Sequence, residues 1–130
     1  MSQTIISGLV ATTPRHYVTT AGLPLTSFRL AASIREWSKE RGKFVDTGTS
    51  WFTVTCQKQL AINAATSINK GHRIIVSGTL IVRDWDNGER AGTTVELEAS
   101  NMGHDLAYGS STFERTVWGN PDDFDSEPVS

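Results

Sequence analysis

The order in which two hydrophobic periods succeed one another constrains this chain more than any single residue does. Five segments read as β-strands and one as a helix. Gln3–Val10 (QTIISGLV) is short and β-branched. Leu25–Ile34 alternates, with Phe28, Leu30, Ala32 and Ile34 on one face and Arg29, Ala31, Ser33 and Arg35 on the other. Trp51–Cys56 alternates again, Phe52, Val54 and Cys56 opposing Trp51, Thr53 and Thr55. Arg73–Trp85 is a long strand. Ile74, Val76, Gly78, Leu80 and Val82 lie on one side of it, and Ile75, Ser77, Thr79, Ile81, Arg83 and Trp85 on the other. Thr93–Ala99 sets Val95, Leu97 and Ala99 against Glu96 and Glu98. Only Lys58–Asn69 carries the helical spacing, in a stripe of Leu60, Ala61, Ala64, Ala65 and Ile68. Gly71 stands just past its end, where a left-handed cap is wanted, and Lys70 suits the negative pole of the helix.

Three strands, a helix and two strands follow in the order of a five-stranded OB barrel, whose helix lies between strands three and four. The expected class is therefore all-β with one helix. Asp86-Asn87-Gly88 supplies turn chemistry for a hairpin between Trp85 and Thr93. Gly8 and Gly78 are candidate strand bends. The length of 130 residues and a hydrophobic share of 38% fit one domain with a modest core, expected over residues 1–108. Residues 109–130 read as a short, acidic, disordered tail. A single cysteine excludes an intramolecular disulfide. No stretch approaches the ~18 apolar residues of a membrane helix, and MSQTIISGLV lacks the basic start of a signal peptide. These features predict a cytoplasmic protein without a membrane partner.

Charge alone does not announce a ligand. The net charge of -2 divides unevenly: Gly119–Ser130 holds four acids and no base, leaving twelve bases against ten acids before it. The placement of the bases is more informative. Trp37, Trp51 and Trp85 have the parity opposite to the aliphatic set of their strands. Beside them, by parity or in adjoining loops, stand Arg29, Arg35, Lys39, Arg41, Lys43 and Arg83. Nucleobases stack on exposed indoles at roughly 1–3 kcal/mol per base. Lysines and arginines then track the phosphates. A tryptophan off the core face can instead pack under a loop or in a subunit interface, but three together with basic neighbours favour single-strand binding with little sequence preference. Trp118 has no strand context and receives no role.

At these residues the chain resembles bacterial single-stranded DNA-binding proteins of the replication type. The resemblance rests on TIISGLV, SFRLAAS, SWFTVTC, NKGHRIIVSGTLIVRDW and RAGTTVELEASNMGHDL, which together span about Gln3–Tyr108. It implies an OB fold, a homotetramer built partly from the N-terminal strand region, and single-stranded DNA wrapped over aromatic side chains. The family's stacking positions fall on or near Trp37, on Trp51 and on Trp85. Arg73, in the K-G-x-R run, joins the six bases above as a phosphate contact. The role implied is protection of unwound, nucleoid-associated DNA in replication, recombination or repair.

Departures from the family pattern carry their own expectations. Gln57 stands where the family places a further stacking aromatic, which predicts weaker or differently spaced binding. The long Gly/Pro/Gln-rich linker is missing, and the end, NPDDFDSEPVS, lacks a terminal Pro-Phe. Asp122, Asp123 and Phe124 keep an acidic cluster beside an aromatic, but without a terminal Phe carboxylate recruitment of replication and repair proteins through this tail is doubtful. The pattern suits a short paralogue, or a plasmid or prophage copy. An alternative reading is an OB interaction module of a primosome-type complex, with its tryptophans serving protein contacts. No catalytic residue, metal or cofactor is expected. His16, His72 and His104 are scattered, Cys56 has core parity, and Glu96 and Glu98 read as a solvated outer face.

Overall fold

A computed structural model of the chain describes residues 3–117, with the side chains of residues 33–36 and 46–47 left outside the description. In chain order it contains β1 (Gln3–Val10), β2 (Arg15–Val18), β3 (Pro24–Ser38), β4 (Lys43–Gln57), α1 (Lys58–Ser67), β5 (Arg73–Asp86) and β6 (Ala91–His104). The molecule is thus mostly β with one helix. All the strands belong to one sheet in the order β1-β5-β6-β4-β3-β2, with an additional pairing of β1 to β3. The pairings therefore run round a ring through β1, β5, β6, β4 and β3, and β2 hangs outside it on β3. Every pairing is antiparallel except β4 with β6.

The alternation explains what is buried. Val10, Phe28, Leu30, Val54, Cys56, Ile74, Val76 and Leu97 point to one side and form the core with Ala61, Ala64 and Ile68. The two alanines let α1 come close to the sheet. Thr26 ties them together: its buried hydroxyl donates to the Ala61 carbonyl at 2.7 Å, and His16 Nδ1 lies 2.8 Å from the same oxygen. Gly78 is indispensable for close approach, because a Cβ there would collide with the Glu98 carbonyl; at Gly8 one would lie 2.6 Å from the Ala31 carbonyl oxygen.

Several expectations change. A sixth strand joins the expected five: β2 is a four-residue edge strand with every residue exposed and hence no burial period to read. The helix is shorter than Lys58–Asn69: Ile68 is already extended (φ -104°), and its N–H closes the last turn on Ala64 at 2.8 Å. Gly71 does adopt φ +93°, yet its N–H goes to the Val10 carbonyl of β1, so it turns the loop rather than caps the helix. No basic side chain lies in the last turn of α1.

Strands β3, β4 and β6 are also longer than their alternation suggested, the last two because each carries a bulge. β4 carries a register shift opposite Ile34/Arg35, where Gly48 pairs Ile34 and Asp46 pairs Arg35, leaving Thr47 as the extra residue. β6 carries another, where Asn101 pairs Ser77 and Ala99 pairs Gly78, leaving Ser100 over. A bulge reverses the parity of everything beyond it.

Candidate nucleic-acid interface

Residues paired across neighbouring strands share a face, so the registers define the outer surface. Ala31 pairs Trp51 and Arg29 pairs Thr53. Thr53 pairs Glu96 in the parallel contact. Glu96 pairs Ile81, Thr94 pairs Arg83, and Gly92 pairs Trp85. One outward surface therefore runs across four strands from Arg29 to Trp85. Trp51 and Trp85 remain 50% and 44% exposed on it, the solvent parity expected of them.

Each of these indoles is braced. The Arg29 guanidinium carbon lies 5.7 Å from the centroid of the Trp51 ring, and Arg29 Nη1 donates to Thr53 Oγ1 at 2.8 Å. That contact, of the cation–π type, contributes about 0.5–1 kcal/mol at an exposed site. Trp85 lies on the bare backbone of Gly92. A Cβ at Gly92 would stand 2.7 Å from Cζ2 and 3.0 Å from Cε2 of the indole. Trp85, Gly92 and their neighbours Asp84, Asp86, Ala91 and Thr93 line an open depression of about 530 Å³. The hairpin beside it has the expected turn chemistry: Asp86 Oδ1 accepts from the Gly88 N–H, and Asn87 Oδ1 from those of Glu89 and Arg90.

Trp37 stands on the far hairpin, 55% exposed, and meets Phe44 edge-on with ring centroids 5.3 Å apart. Phe44, 63% exposed, was not singled out by parity. Its even number places it with Phe52 and Val54 until the bulge at Thr47 turns it to the side of Trp37. The only sequence signal for it is an aromatic next to Lys43 in a segment that otherwise reads as loop. Lys39, Arg41 and Lys43 are exposed at this hairpin, which Gly42 N closes onto the Ser38 carbonyl at 2.8 Å. The hairpin thus holds Trp37 together with Lys39, Arg41 and Lys43. The side chain of Arg35 lies outside those described, as do Trp118, Asp122, Asp123 and Phe124.

Two bases are placed differently from the rest. Arg73 begins β5, at the opposite end from Trp85, with its guanidinium 4.8 Å from the Tyr108 ring centroid. Arg83 lies between the tryptophans but is engaged, its Nε donating to Glu96 Oε2 at 2.9 Å. That hydrogen bond and the charge of Glu96 raise the Arg83 pKa further. Glu96 is accordingly a half-buried partner rather than a solvated acid.

Cys56 is fully buried, and desolvation pushes its thiol up to about 11. His72 and His104, far apart in sequence, meet with Nδ1 and Nε2 3.0 Å apart. Among the described residues no group of three or more His, Cys, Asp or Glu is arranged to hold a metal ion, and no helix is long and apolar enough to cross a membrane.

Comparisons with known proteins place the chain in a family. The model of the single-strand binding protein family matches residues 1–105. "Single-stranded DNA-binding protein 2" of Tropheryma whipplei is 44% identical over 126 residues, which covers 97% of this chain and 83% of that protein. "Single-stranded DNA-binding protein 1" of Streptomyces coelicolor is 39% identical over 119 residues, covering 90% of this chain and 76% of that one. The crystal structure of the small single-stranded DNA-binding protein from Streptomyces coelicolor superposes with a TM-score of 0.75 at 37% identity, over 83% of this chain and 97% of that chain. The second single-stranded DNA-binding protein of Mycobacterium smegmatis shares the fold with a TM-score of 0.66 at 24% identity, over 88% and 98% of the two chains. By sequence and by fold, the chain belongs to the single-strand binding protein family.

Proposed function

We propose that this protein binds single-stranded DNA with little sequence preference and without catalysis, stacking bases on Trp37, Trp51 and Trp85. In that role it protects unwound, nucleoid-associated DNA in the cytoplasm during replication, recombination or repair. The observation that carries the reading is the outer face itself: two half-exposed indoles, each braced from below, on one continuous surface. Arg29, Arg35, Lys39, Arg41, Lys43 and Arg83 then serve phosphates along the path, with Arg73 as an outlying contact. The ring of strand pairings supports a five-stranded OB barrel, with β2 as an addition to it. A tetramer is the proposed assembly. Ile5 and Ile75 support it, being 74% and 42% exposed on the outer side of the β1–β5 pair, where an apolar surface calls for a partner.

Titration of the intrinsic tryptophan fluorescence with oligo-dT, at two salt concentrations and against a duplex control, tests the reading. Quenching by the single strand that weakens with salt is expected. Trp85→Ala should cost roughly 1–3 kcal/mol of binding. Absence of quenching at low salt would assign the tryptophans to protein contacts instead.

A further inference from the structure

We propose that Glu96 is an electrostatic brake on single-strand binding, holding Arg83 so that a phosphate must displace a carboxylate to reach it. The inference rests on the function proposed above and adds a regulating residue to it. β6 lies between β4, which carries Trp51, and β5, which carries Trp85. The shorter way round the ring from one indole to the other crosses β6. β6 contains no lysine or arginine, nor does β4 from Trp51 to Gln57, and β5 has only Arg73 and Arg83. Arg73 begins β5, at the far end from Trp85. Arg83 is thus the one base that these segments contribute to the crossing.

Its partner is built into the same face. Glu96 sits between Thr53 of β4 and Ile81 of β5, and its side chain is 23% exposed against 61% for Arg83. The carboxylate is therefore the anchored member of the pair and the guanidinium the outlying one. Glu98, two residues on and sharing the face, adds its own attraction for Arg83. A phosphate approaching this stretch meets two carboxylates and a cation already neutralised. Binding energy is displaced to the indoles and to the Lys39–Lys43 hairpin, and the middle of the path stays weakly held, which favours exchange and sliding over permanent capture.

The test is Glu96→Gln in the full chain, compared with wild type in oligo-dT titrations over a range of salt. Freed from its partner, Arg83 should tighten binding about two- to five-fold at low salt. It should also steepen the slope of log K against log salt by about 0.7, one more phosphate contact on a single strand. In an Arg83→Gln background the same substitution should give no gain. Glu96→Thr, which suits a strand, should behave like Glu96→Gln, and thermal unfolding of each variant reports that the fold is kept. Unchanged or weaker binding by both folded variants, or an equal gain in the Arg83→Gln background, would overturn the brake while leaving single-strand binding intact. A wild-type protein that fails to bind oligo-dT overturns the function and the brake together.

Discussion

Trp85 owes its orientation to a residue with no side chain. Gly92 lies directly across from it, and the indole occupies the space a Cβ would need. Parity along Arg73–Trp85 places the tryptophan on the outer face, but nothing in that strand names its support. Replacing Gly92 by alanine should lift the ring from its seat. The expected outcome is a shifted indole NMR signal in the protein without DNA and a loss of oligo-dT affinity no larger than that of Trp85→Ala. In a Trp85→Ala background, Gly92→Ala should cost nothing more. Arg29 shows the same limit of sequence reading. Its parity puts it beside Trp51, whereas its bond to Thr53 and its place against the ring arise from the β3–β4 register.

Elements were legible where the period ran unbroken. Most of β3 and β5 follow from alternation, because one face is buried and the other is not, and β1 follows from its β-branched residues. The helix follows from its alanine-rich stripe. Bulges shortened the apparent ends of β4 and β6. Beyond Ser100, Met102 packs on the core out of phase with Val95, Leu97 and Ala99, and beyond Thr47, Phe44 faces the side of Trp37. The junction of α1 with the sheet depends on Thr26, whose hydroxyl is buried between Ala61 and His16. Thr26→Val keeps the volume and removes both hydrogen bonds. It should destabilise the fold by about 1–3 kcal/mol, read as a lower urea midpoint with an unchanged slope.

At the level of the assembled molecule, the outer side of the β1–β5 pair leaves Ile5 and Ile75 in water when the chain stands alone. A tetramer that covers them should give a mass near four chains by sedimentation equilibrium at micromolar concentration, and Ile5→Glu should reduce it. A wild-type monomer under those conditions would remove the assembly from the proposal. Sequence by itself determined the class of fold, the strand faces as far as the bulges and the outward parity of Trp37, Trp51 and Trp85, because each follows from a local period and the exclusion of apolar groups from water. Tertiary structure alone decided which outward residues meet. The Trp37–Phe44 contact, the Gly92 seat, the Arg29 brace and the Arg83–Glu96 pair all join different strands. Register and bulges set those meetings, and register is a property of strand pairs that no single strand's sequence contains.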